Sequence, residues 1–386
     1  MTVVIIGAGM GGLSAALALL QRGIRADVYE EAPELGEVGA GLSIQPNARR
    51  VIASLGLIDD LADDVVAANG AARRDYRTGA ILSLNRYDQA DWRTSETGVW
   101  FVHRADLHRA LVAGIRRLAP DAIHLGHQFV GFTQQDEEVE ARFANGQTVR
   151  GTALVGADGL RSATRAALFG PESPRFSGIV AWRGLVPMER IPPGLVSPDS
   201  CRWIGPTTRI LCYPVRRRTL LNFVAAAANQ TWQIESWKVH SDVSELLAAF
   251  EGADPAIHTI VSQTPPELLY KWALFDRDPL PTWTVGRVTL LGDAAHPMLP
   301  FLGQGAGIAL EDGIVLARCL EAERDVPAAL ARYERVRKPR ATTVQLESRA
   351  NAQVPFDRAV ETSLYGRISQ RERADLEAYD ATAVPI

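Results

Sequence analysis

A glycine-rich segment close to the N-terminus has the spacing of a phosphate-binding turn. Gly7, Gly9 and Gly12 fit the pattern G-x-G-x-x-G, with Gly11 beside the last of them. In such a turn one glycine makes a tight bend, one lets a pyrophosphate approach the backbone, and one allows strand and helix to pack closely. Glu30 follows Gly9 by 21 residues and can accept hydrogen bonds from a ribose 2′-hydroxyl, which disfavours a 2′-phosphate. The pattern predicts a site for FAD or NAD.

A second group of chemically useful residues lies near the other end of the chain. An apolar run over 288–291 leads to Asp293, and Gly303, Gly305 and Ala306 then introduce a helix. A carboxylate at a strand end can hold a sugar-like hydroxyl, and a helix N-terminus can stabilise negative charge on a ring carbonyl. This pair of features favours a flavin over the nicotinamide of a simple NAD-dependent dehydrogenase.

Strands and helices must position both groups. A strand over 3–6, a helix over 10–22 and a strand over 26–30 form a βαβ unit around the glycine turn. Further helices are predicted over 46–55, 104–118 and 305–320, and a charge-rich C-terminal helix is expected to be interrupted at Pro339. Extended chain is predicted over 75–86, followed by a polar stretch to Ser95, and short strands are predicted within 123–153 with a turn at Asn145-Gly146. A strand leads into a helix over 155–165, and another strand covers 288–291.

The middle of the chain has a different character. Residues 176–275 contain most of the tryptophans and short alternating runs such as RILCYPV, which predict an antiparallel sheet. Because α/β patterns stand on both sides of it, we expect interleaved domains. The predicted FAD-binding domain comprises residues 1–72, 99–175 and 276–330; the substrate domain comprises 73–98 and 176–275; and 331–386 form a helical C-terminal segment.

Composition limits the classes of function. The chain has 386 residues, 47% hydrophobic and 22% charged, with a net charge of −4, so a sizeable core is expected and a polybasic nucleic-acid or membrane-surface binder is not. No apolar run approaches the ~20 residues that span a bilayer, and no targeting segment is apparent, so we predict a cytoplasmic protein. The three cysteines are far apart and no metal-ligand cluster is visible, so neither a disulfide framework nor a metal site is expected.

Four ordered motifs then carry a family resemblance. They are GAGMGG (7–12), HRADLH (103–108), GADGLRSATR (156–165) and GDAAHPMLPFLGQGAGIALEDG (292–313). The chain resembles the single-component FAD-dependent aromatic hydroxylases, which include p-hydroxybenzoate hydroxylase, salicylate hydroxylase, 3-hydroxybenzoate 6-hydroxylase and 6-hydroxynicotinate 3-monooxygenase. The resemblance covers most of residues 1–345. It implies an α/β fold in which a Rossmann-like FAD-binding domain is interleaved with a mixed or antiparallel substrate domain, followed by a helical C-terminus.

The resemblance also implies roles for single residues around a non-covalent FAD. Glu30 would bind the adenosine ribose, Arg104 would contact the pyrophosphate side and Asp293 the ribityl chain. The loop with Gly303, Gly305 and Ala306 would face the flavin pyrimidine. Asp158 and Arg165 would belong to a sequence fingerprint that contacts both FAD and NAD(P)H. Ser43 would approach the flavin, and Phe129 would lie near the adenine. His296 lies in the same segment as Asp293 and is expected to be structural rather than a catalytic base.

Substrate chemistry is expected from the middle region. By resemblance, Tyr213 occupies a strand position where several relatives place a tyrosine near the substrate ring, and a phenol can orient or deprotonate a substrate hydroxyl. Arg209 precedes it by four residues and can point to the same strand face. Some relatives have a histidine at that position, whereas an arginine suits a carboxylate. Pro300 matches a proline that lies over the flavin. A core tyrosine and a solvated arginine are the structural alternatives.

The implied reaction is monooxygenation of a small aromatic compound of the hydroxybenzoate, salicylate or hydroxynicotinate type. NADH or NADPH reduces FAD, O2 adds at C4a, and the hydroperoxide transfers OH to the ring. Epoxidation or Baeyer–Villiger oxygen insertion on a non-aromatic or polycyclic substrate is the enzymatic alternative, and a non-catalytic flavoprotein is another. The substrate, the choice between NADH and NADPH, and a monomeric or homodimeric state stay open at this level.

Overall fold

The computed structural model describes residues 1–36, 40–87, 93, 98–228, 232, 239–353 and 370–386. The strands are β1 (Thr2–Ile6), β2 (Arg25–Tyr29), β3 (Gly41–Ile44), β4 (Val66–Ala67), β5 (Gly70–Asp75), β6 (Ile81–Arg86), β7 (Trp100–His103), β8 (Ile123–His124), β9 (Phe129–Gln135), β10 (Glu138–Phe143), β11 (Thr148–Gly151), β12 (Ala153–Gly156), β13 (Arg175–Pro187), β14 (Ser200–Ile204), β15 (Thr208–Val215), β16 (Leu220–Ala228), β17 (Val239–His240), β18 (Leu269–Asp276), β19 (Thr284–Val285) and β20 (Val288–Leu290). The helices are α1 (Met10–Gln21), α2 (Pro46–Ser54), α3 (Ile58–Leu61), α4 (Arg104–Leu118), α5 (Ala163–Phe169), α6 (Val243–Ala249), α7 (Pro255–Ser262), α8 (Gly305–Ala322), α9 (Val326–Gln353) and α10 (Gln370–Ala378).

The six-stranded sheet has the order β19-β20-β12-β1-β2-β8. Its pairings are parallel, except that β19 pairs antiparallel with β20. β1, α1 and β2 form the βαβ unit that the glycine spacing predicted, and the strands β1, β12 and β20 are almost completely buried. Parallel strands that are covered on both faces need such apolar sequences. Their carboxyl ends carry the glycine turn, Asp158 and Asp293.

The eight-stranded sheet has the order β17-β18-β13-β16-β15-β14-β5-β6. Most of its pairings are antiparallel, and β14 pairs with β5 in parallel. β5 and β6 belong to an early excursion of the chain, which then returns to the six-stranded sheet before β13 begins. The interleaved α/β architecture predicted from the sequence is therefore confirmed, while the residue boundaries of its domains stay a proposal.

Two smaller sheets complete the described structure. β9, β10 and β11 form an antiparallel meander, and the predicted Asn145-Gly146 turn joins its last two strands. β3, β7 and β4 form the other sheet, which lies between the two large sheets. The predicted polar stretch to Ser95 falls mainly on residues 88–92 and 94–97, which lie outside the described residues.

The C-terminal helix differs from its prediction. Pro339 does not interrupt α9, which continues from Val326 to Gln353. A proline inside a helix costs about 3 kcal/mol, but the side chains beside it are firmly anchored on α8. Arg337 lies 2.8 Å from a carboxylate oxygen of Glu311, and Arg340 lies 2.7 Å from one. We infer that these buried ion pairs hold the helix together across the proline.

The apolar cores lie on either side of the sheets. One contains the inner faces of α1, α4 and α8 against the six-stranded sheet, and another packs α6 and α7 on the outer face of the eight-stranded sheet. All three cysteines are buried and none forms a disulfide. Among the described residues, no helix is long and apolar enough to cross a membrane, and no cluster of potential metal ligands is found within those same residues.

Candidate active site

The glycine turn joins β1 to α1 at the carboxyl end of the six-stranded sheet. Gly7 has a φ of +102°, and a Cβ there would lie 2.6 Å from the carbonyl oxygen of Ala157. A Cβ on Gly12 would lie 2.1 Å from the carbonyl oxygen of Gly7. Gly9 caps the N-terminus of α1, and a Cβ there would meet no described atom within 4 Å. The fold itself requires Gly7 and Gly12, whereas Gly9 leaves open the space where a helix N-terminus attracts phosphate.

Glu30 comes directly after β2 and closes one side of this turn. Its carboxylate accepts hydrogen bonds from the backbone N–H groups of Ala8, at 2.8 Å, and Ala32, at 3.0 Å. Phe129 is buried in the apolar cluster that also contains Tyr29. The structure thus brings the predicted ribose ligand to the turn and places the predicted adenine neighbour on the same side of the sheet.

Asp293 lies at the other side of the same sheet edge. Its side chain is exposed. Desolvation raises the pKa of Asp293, while electrostatic interactions with His296 and Arg104 oppose that rise. Arg104 is the first residue of α4, and its backbone N–H donates to the carbonyl oxygen of Ala40. Two elements far apart in sequence therefore bring a carboxylate within electrostatic range of a guanidinium.

Asp158 and Arg165 have internal partners. The carboxylate of Asp158 accepts hydrogen bonds from the hydroxyl of Ser162 at 2.5 Å and from the backbone N–H of Thr164 at 2.9 Å. Arg165 is buried and pairs with Glu172 at 2.5 Å. The same arginine donates to the carbonyl of Ala294 at 3.4 Å. The described contacts give both residues a role in fixing the start of α5 against the Asp293 segment.

His296 belongs to a buried ionic network. Its Nε2 atom lies 2.6 Å from Asp312, whose other oxygen accepts from Nε of Arg337 at 2.7 Å. Asp312 also accepts from the backbone N–H of Gly292 at 3.2 Å. The interactions with His296 and Arg337 lower the pKa of Asp312 against the opposing effect of burial. These contacts support the structural role expected for His296.

The loop before α8 approaches β3. Gly303 has a φ of +64°, and a Cβ there would lie 3.7 Å from Cβ of Ser43. Gly305 begins α8 and would also accept a Cβ without a close contact, and Ala306 follows it. Ser43 and Gly303 line the same cleft. The residues predicted to face the flavin are therefore close together, with open space beside their backbone.

This cleft is formed by β3, β5, β7, β14, β15 and the turn at Pro300–Leu302. Its apolar wall includes Val99, Phe101, Leu211, Pro300, Phe301 and Leu302, and its polar groups include Ser43, Gln45, Ser200 and Arg202. An apolar cleft with a few convergent polar groups is typical of a small-molecule site. Of the three predicted catalytic residues, Pro300 lines it directly.

Tyr213 lies behind the wall of the cleft. Its ring stacks on Phe101 at a centroid distance of 4.3 Å, and its hydroxyl forms a hydrogen bond with Ser43. Burial raises the pKa of Tyr213 well above its ordinary value, and the bond to Ser43 only partly opposes this rise. Ser43 therefore stands between the phenol and the cleft.

Arg209 shares a strand face with Tyr213, as the alternation of β15 predicted, but it faces the turn. Its guanidinium carbon lies 3.6 Å from the centroid of Phe301, and Nη2 donates to the carbonyl of Asn351 on α9 at 3.4 Å. Burial, and then the positive charge of Arg202, hold the pKa of Arg209 well below its ordinary value. The contacts place Arg209 against the cleft wall.

Among the cleft residues that the sequence reasoning missed are two polar ones, Arg202 and Gln45. Arg202 lies on β14 opposite Leu211 of β15, and the alternation of the run SCRWI could have placed it on the same face as Tyr213. Gln45 is 4% exposed, and its Oε1 atom has no hydrogen-bond partner among the described residues. No local sequence signal marks Gln45, because its position depends on how β3 and the Gly303 loop meet.

Comparison with known proteins identifies this architecture. A family described as FAD binding domain matches residues 1–348. The chain is 37% identical over 348 residues to a 3-amino-4-hydroxybenzoate 2-monooxygenase of Streptomyces platensis, covering 90% of this chain and 86% of that protein. It is 33% identical over 356 residues to the 6-hydroxynicotinate 3-monooxygenase of Pseudomonas fluorescens, covering 90% of each. The structure of Klebsiella pneumoniae HpxO with FAD and uric acid is similar with a TM-score of 0.83 and 29% identity, covering 98% of this chain and 93% of that one.

These findings confirm the family resemblance, the FAD cofactor with its NAD(P)H co-substrate, and the class of enzyme predicted from the motifs. An NAD-dependent dehydrogenase and a non-catalytic flavoprotein do not agree with them. The chain belongs to the FAD binding domain family and is an FAD-dependent aromatic monooxygenase.

Proposed function

We propose that this enzyme hydroxylates a small aromatic anion, of the hydroxybenzoate or hydroxynicotinate type, that binds in the cleft beside Arg202. The observation that carries the proposal is the composition of the cleft, where one guanidinium stands among aromatic and aliphatic side chains. The aromatic side chains of Phe101 and Phe301 both line the cleft and suit a planar ring, and a carboxylate matches the two-pronged donor geometry of arginine. The relatives from Streptomyces platensis and Pseudomonas fluorescens support this class, because their names specify aromatic acids.

The residues at the edge of the six-stranded sheet fit FAD. Gly9 leaves the N-terminus of α1 open for a pyrophosphate, and Glu30 stands at the same turn for a ribose. Asp293 is an accessible carboxylate inside the molecule, with Arg104 nearby, which suits a polyhydroxylated chain next to phosphate. We assign the ring-facing surface to Ser43, Gly303, Gly305 and Ala306. Phe129 is retained as the proposed neighbour of the adenine.

Bound FAD supplies the oxidative chemistry: reduced by NADH or NADPH, it activates O2 for insertion into the substrate. The protein provides orientation and excludes water. Arg202 holds the anionic group of the substrate, and the free acceptor Oε1 of Gln45 receives a hydrogen bond from a hydroxyl or amino group on the ring. Phe101 and Phe301 restrict the plane of the ring.

Tyr213 orients rather than deprotonates the substrate. Because its pKa is raised, the phenol stays protonated at neutral pH and is a poor general base. Its hydrogen bond fixes the hydroxyl of Ser43, and Ser43 faces the cleft. Asp158 and Arg165, by contrast, are proposed to shape the cavity floor through α5 rather than to touch NAD(P)H, since their described partners are internal.

The decisive experiment measures NADH and NADPH oxidation by the FAD-loaded enzyme with hydroxybenzoates, aminohydroxybenzoates and hydroxynicotinates, using ¹⁸O2 and mass analysis of products. Stimulated oxidation together with a ring carrying one ¹⁸O supports the proposal. Oxygen insertion only into a ketone or an alkene would replace it with the Baeyer–Villiger or epoxidase alternative. The cytoplasmic location and a monomeric or homodimeric state remain predictions from the sequence.

A further inference from the structure

Arg209 packs against one part of the cleft wall, the turn at Pro300–Leu302. Phe301 lies in this turn and lines the cleft. The guanidinium carbon of Arg209 lies 3.6 Å from the centroid of the Phe301 ring, well within the range of a cation–π contact. The arginine therefore touches the ring that would contact a substrate.

The surrounding strands make room for this stack. Arg209 pairs across β15 and β16 with Ala226, and Ala226 pairs in turn with Ala181 on β13. Two small residues beside the arginine leave space on the sheet face for a guanidinium and a phenyl ring. Ala181, Ala226 and Phe301 belong to one apolar cluster, so the ring packs against the sheet as well as against the arginine.

The C-terminal helix supports the same arrangement from the other side. Arg209 donates to the carbonyl of Asn351 on α9 at 3.4 Å. Gln345, two turns earlier on α9, donates to the carbonyl of Pro297 at 3.0 Å, just before the turn. Helix α9 thus holds both the loop that carries Phe301 and the arginine that stacks on it.

From this geometry we propose that Arg209 is a positioning residue, which fixes the Phe301 ring as a wall of the substrate cleft and links helix α9 to that wall. Arg202 is the residue that meets the substrate anion. The assignment rests on the proposed function only in naming the cleft as the substrate site. It replaces the sequence-based expectation that Arg209 binds a carboxylate itself.

The two roles for Arg209 predict different ligand dependence. We would measure dissociation constants of 3-amino-4-hydroxybenzoate and of its neutral carboxamide from the change in flavin absorbance of FAD-loaded enzyme. In a positioning role, Arg209→Met and Phe301→Leu each weaken both ligands by a similar factor, roughly 2- to 30-fold for a lost cation–π contact. The double variant then binds each ligand no more weakly than the single variant that has the larger effect, because the two side chains act as one unit.

Arg202→Met is the matched comparison, since it removes the guanidinium that lines the cleft. It is expected to weaken the carboxylate much more than the carboxamide. If Arg209→Met instead weakens the carboxylate alone, Arg209 is an anion ligand and the positioning role is wrong. If its effect and that of Phe301→Leu simply add, the two side chains act independently, which also overturns the positioning role.

A second measurement needs no substrate and separates this inference from the proposed function. 4-Fluorophenylalanine placed at position 301 of the FAD-loaded enzyme reports the surroundings of that ring by ¹⁹F NMR. Arg209→Met should shift and broaden the resonance, whereas the exposed Arg217→Met should leave it unchanged. A resonance that is insensitive to Arg209→Met would overturn the inference even if the enzyme hydroxylates aromatic acids. Failure of both benzoate ligands to bind, with a sensitive resonance, would instead refute the proposed substrate class.

Discussion

At the edge of the six-stranded sheet the site is built largely from backbone, whereas on the face of the eight-stranded sheet it is built from side chains. Gly7, Gly9 and Gly12 matter because they have no side chain. A Cβ at Gly7 or Gly12 would collide with a main-chain oxygen. Around the cleft, Arg202, Gln45 and Phe301 act through the groups they present. The first kind of site tolerates almost no substitution, and the second can be retuned residue by residue.

The largest effect, a loss of folding stability, is expected at the buried ion pairs that join α9 to α8. Arg337 is completely buried between Glu311, at 2.8 Å, and Asp312, at 2.7 Å. Arg337→Met leaves two carboxylates without this partner, and we expect a loss of about 3–5 kcal/mol in the free energy of unfolding. Urea unfolding of the variant measures this loss. Arg217→Met, which removes an exposed pair with Asp63, is the control and should change stability by less than about 1 kcal/mol.

The same network gives the protein a defined sensitivity to acid. The folded pKa of Asp312 is lowered by His296 and Arg337, so its stabilising contribution is fully present above the ordinary aspartate pKa near 4. This contribution is lost as the pH falls through the lower, folded pKa. The stability difference between wild type and Asp312→Asn should therefore shrink as the pH falls below about 4. A difference that stays unchanged as the pH is lowered further, to the acid-unfolding limit, would contradict this assignment.

Within the glycine turn, fold and ligand roles can be separated. Gly12→Ala places a Cβ 2.1 Å from the oxygen of Gly7 and should cost about 1–3 kcal/mol of stability even without cofactor. Gly9→Ala meets open space, so the stability of the cofactor-free protein should be preserved while FAD affinity falls. Thermal unfolding without FAD and titration with FAD measure the two quantities. Equal loss of stability in both variants would show that Gly9 also serves the fold.

Substitutions of residues that line the cleft should alter ligand affinity without lowering the stability of the fold. Arg202→Met removes a charged hydrogen-bond donor, which is worth about 1.5–3 kcal/mol, or roughly 10- to 150-fold in the KM or dissociation constant of an aromatic carboxylate. The neutral carboxamide should bind almost as before. The FAD content and the melting temperature serve as controls. A uniform loss for both ligands would mean that Arg202 only shapes the cleft.

The smallest expected effect concerns the buried phenol. Tyr213→Phe keeps the stacking on Phe101 and removes only the hydrogen bond to Ser43, worth about 0.5–1.5 kcal/mol. We expect kcat to fall by roughly 2- to 12-fold, with Ser43→Ala causing a similar loss, and the pH profile to keep its shape, because the phenol does not titrate near neutral pH. If the wild-type pH profile of kcat has a change at alkaline pH that Tyr213→Phe abolishes, Tyr213 is the general base after all.

Local sequence predicted the parts of this protein that depend on local geometry. The glycine spacing, the buried strands and Glu30 define the βαβ unit, since turn, strand and helix preferences all operate within about thirty residues. The alternation of β15 placed Arg209 and Tyr213 on one face. Local reasoning failed at Pro339, because the ion pairs that carry α9 across the proline come from α8, and their energy is tertiary.

Only the tertiary structure decided what each side chain on that face meets. Tyr213 proves to stand behind Ser43, Arg209 proves to stack on Phe301, and Gln45 and Arg202 enter the cleft. These contacts join segments separated by more than ninety residues, so no periodicity within one segment can encode them. The sequence by itself determined the cofactor class and the family of reactions. The packing of the two sheets determined which residues face the substrate, because side-chain neighbours across an interface depend on how the elements dock.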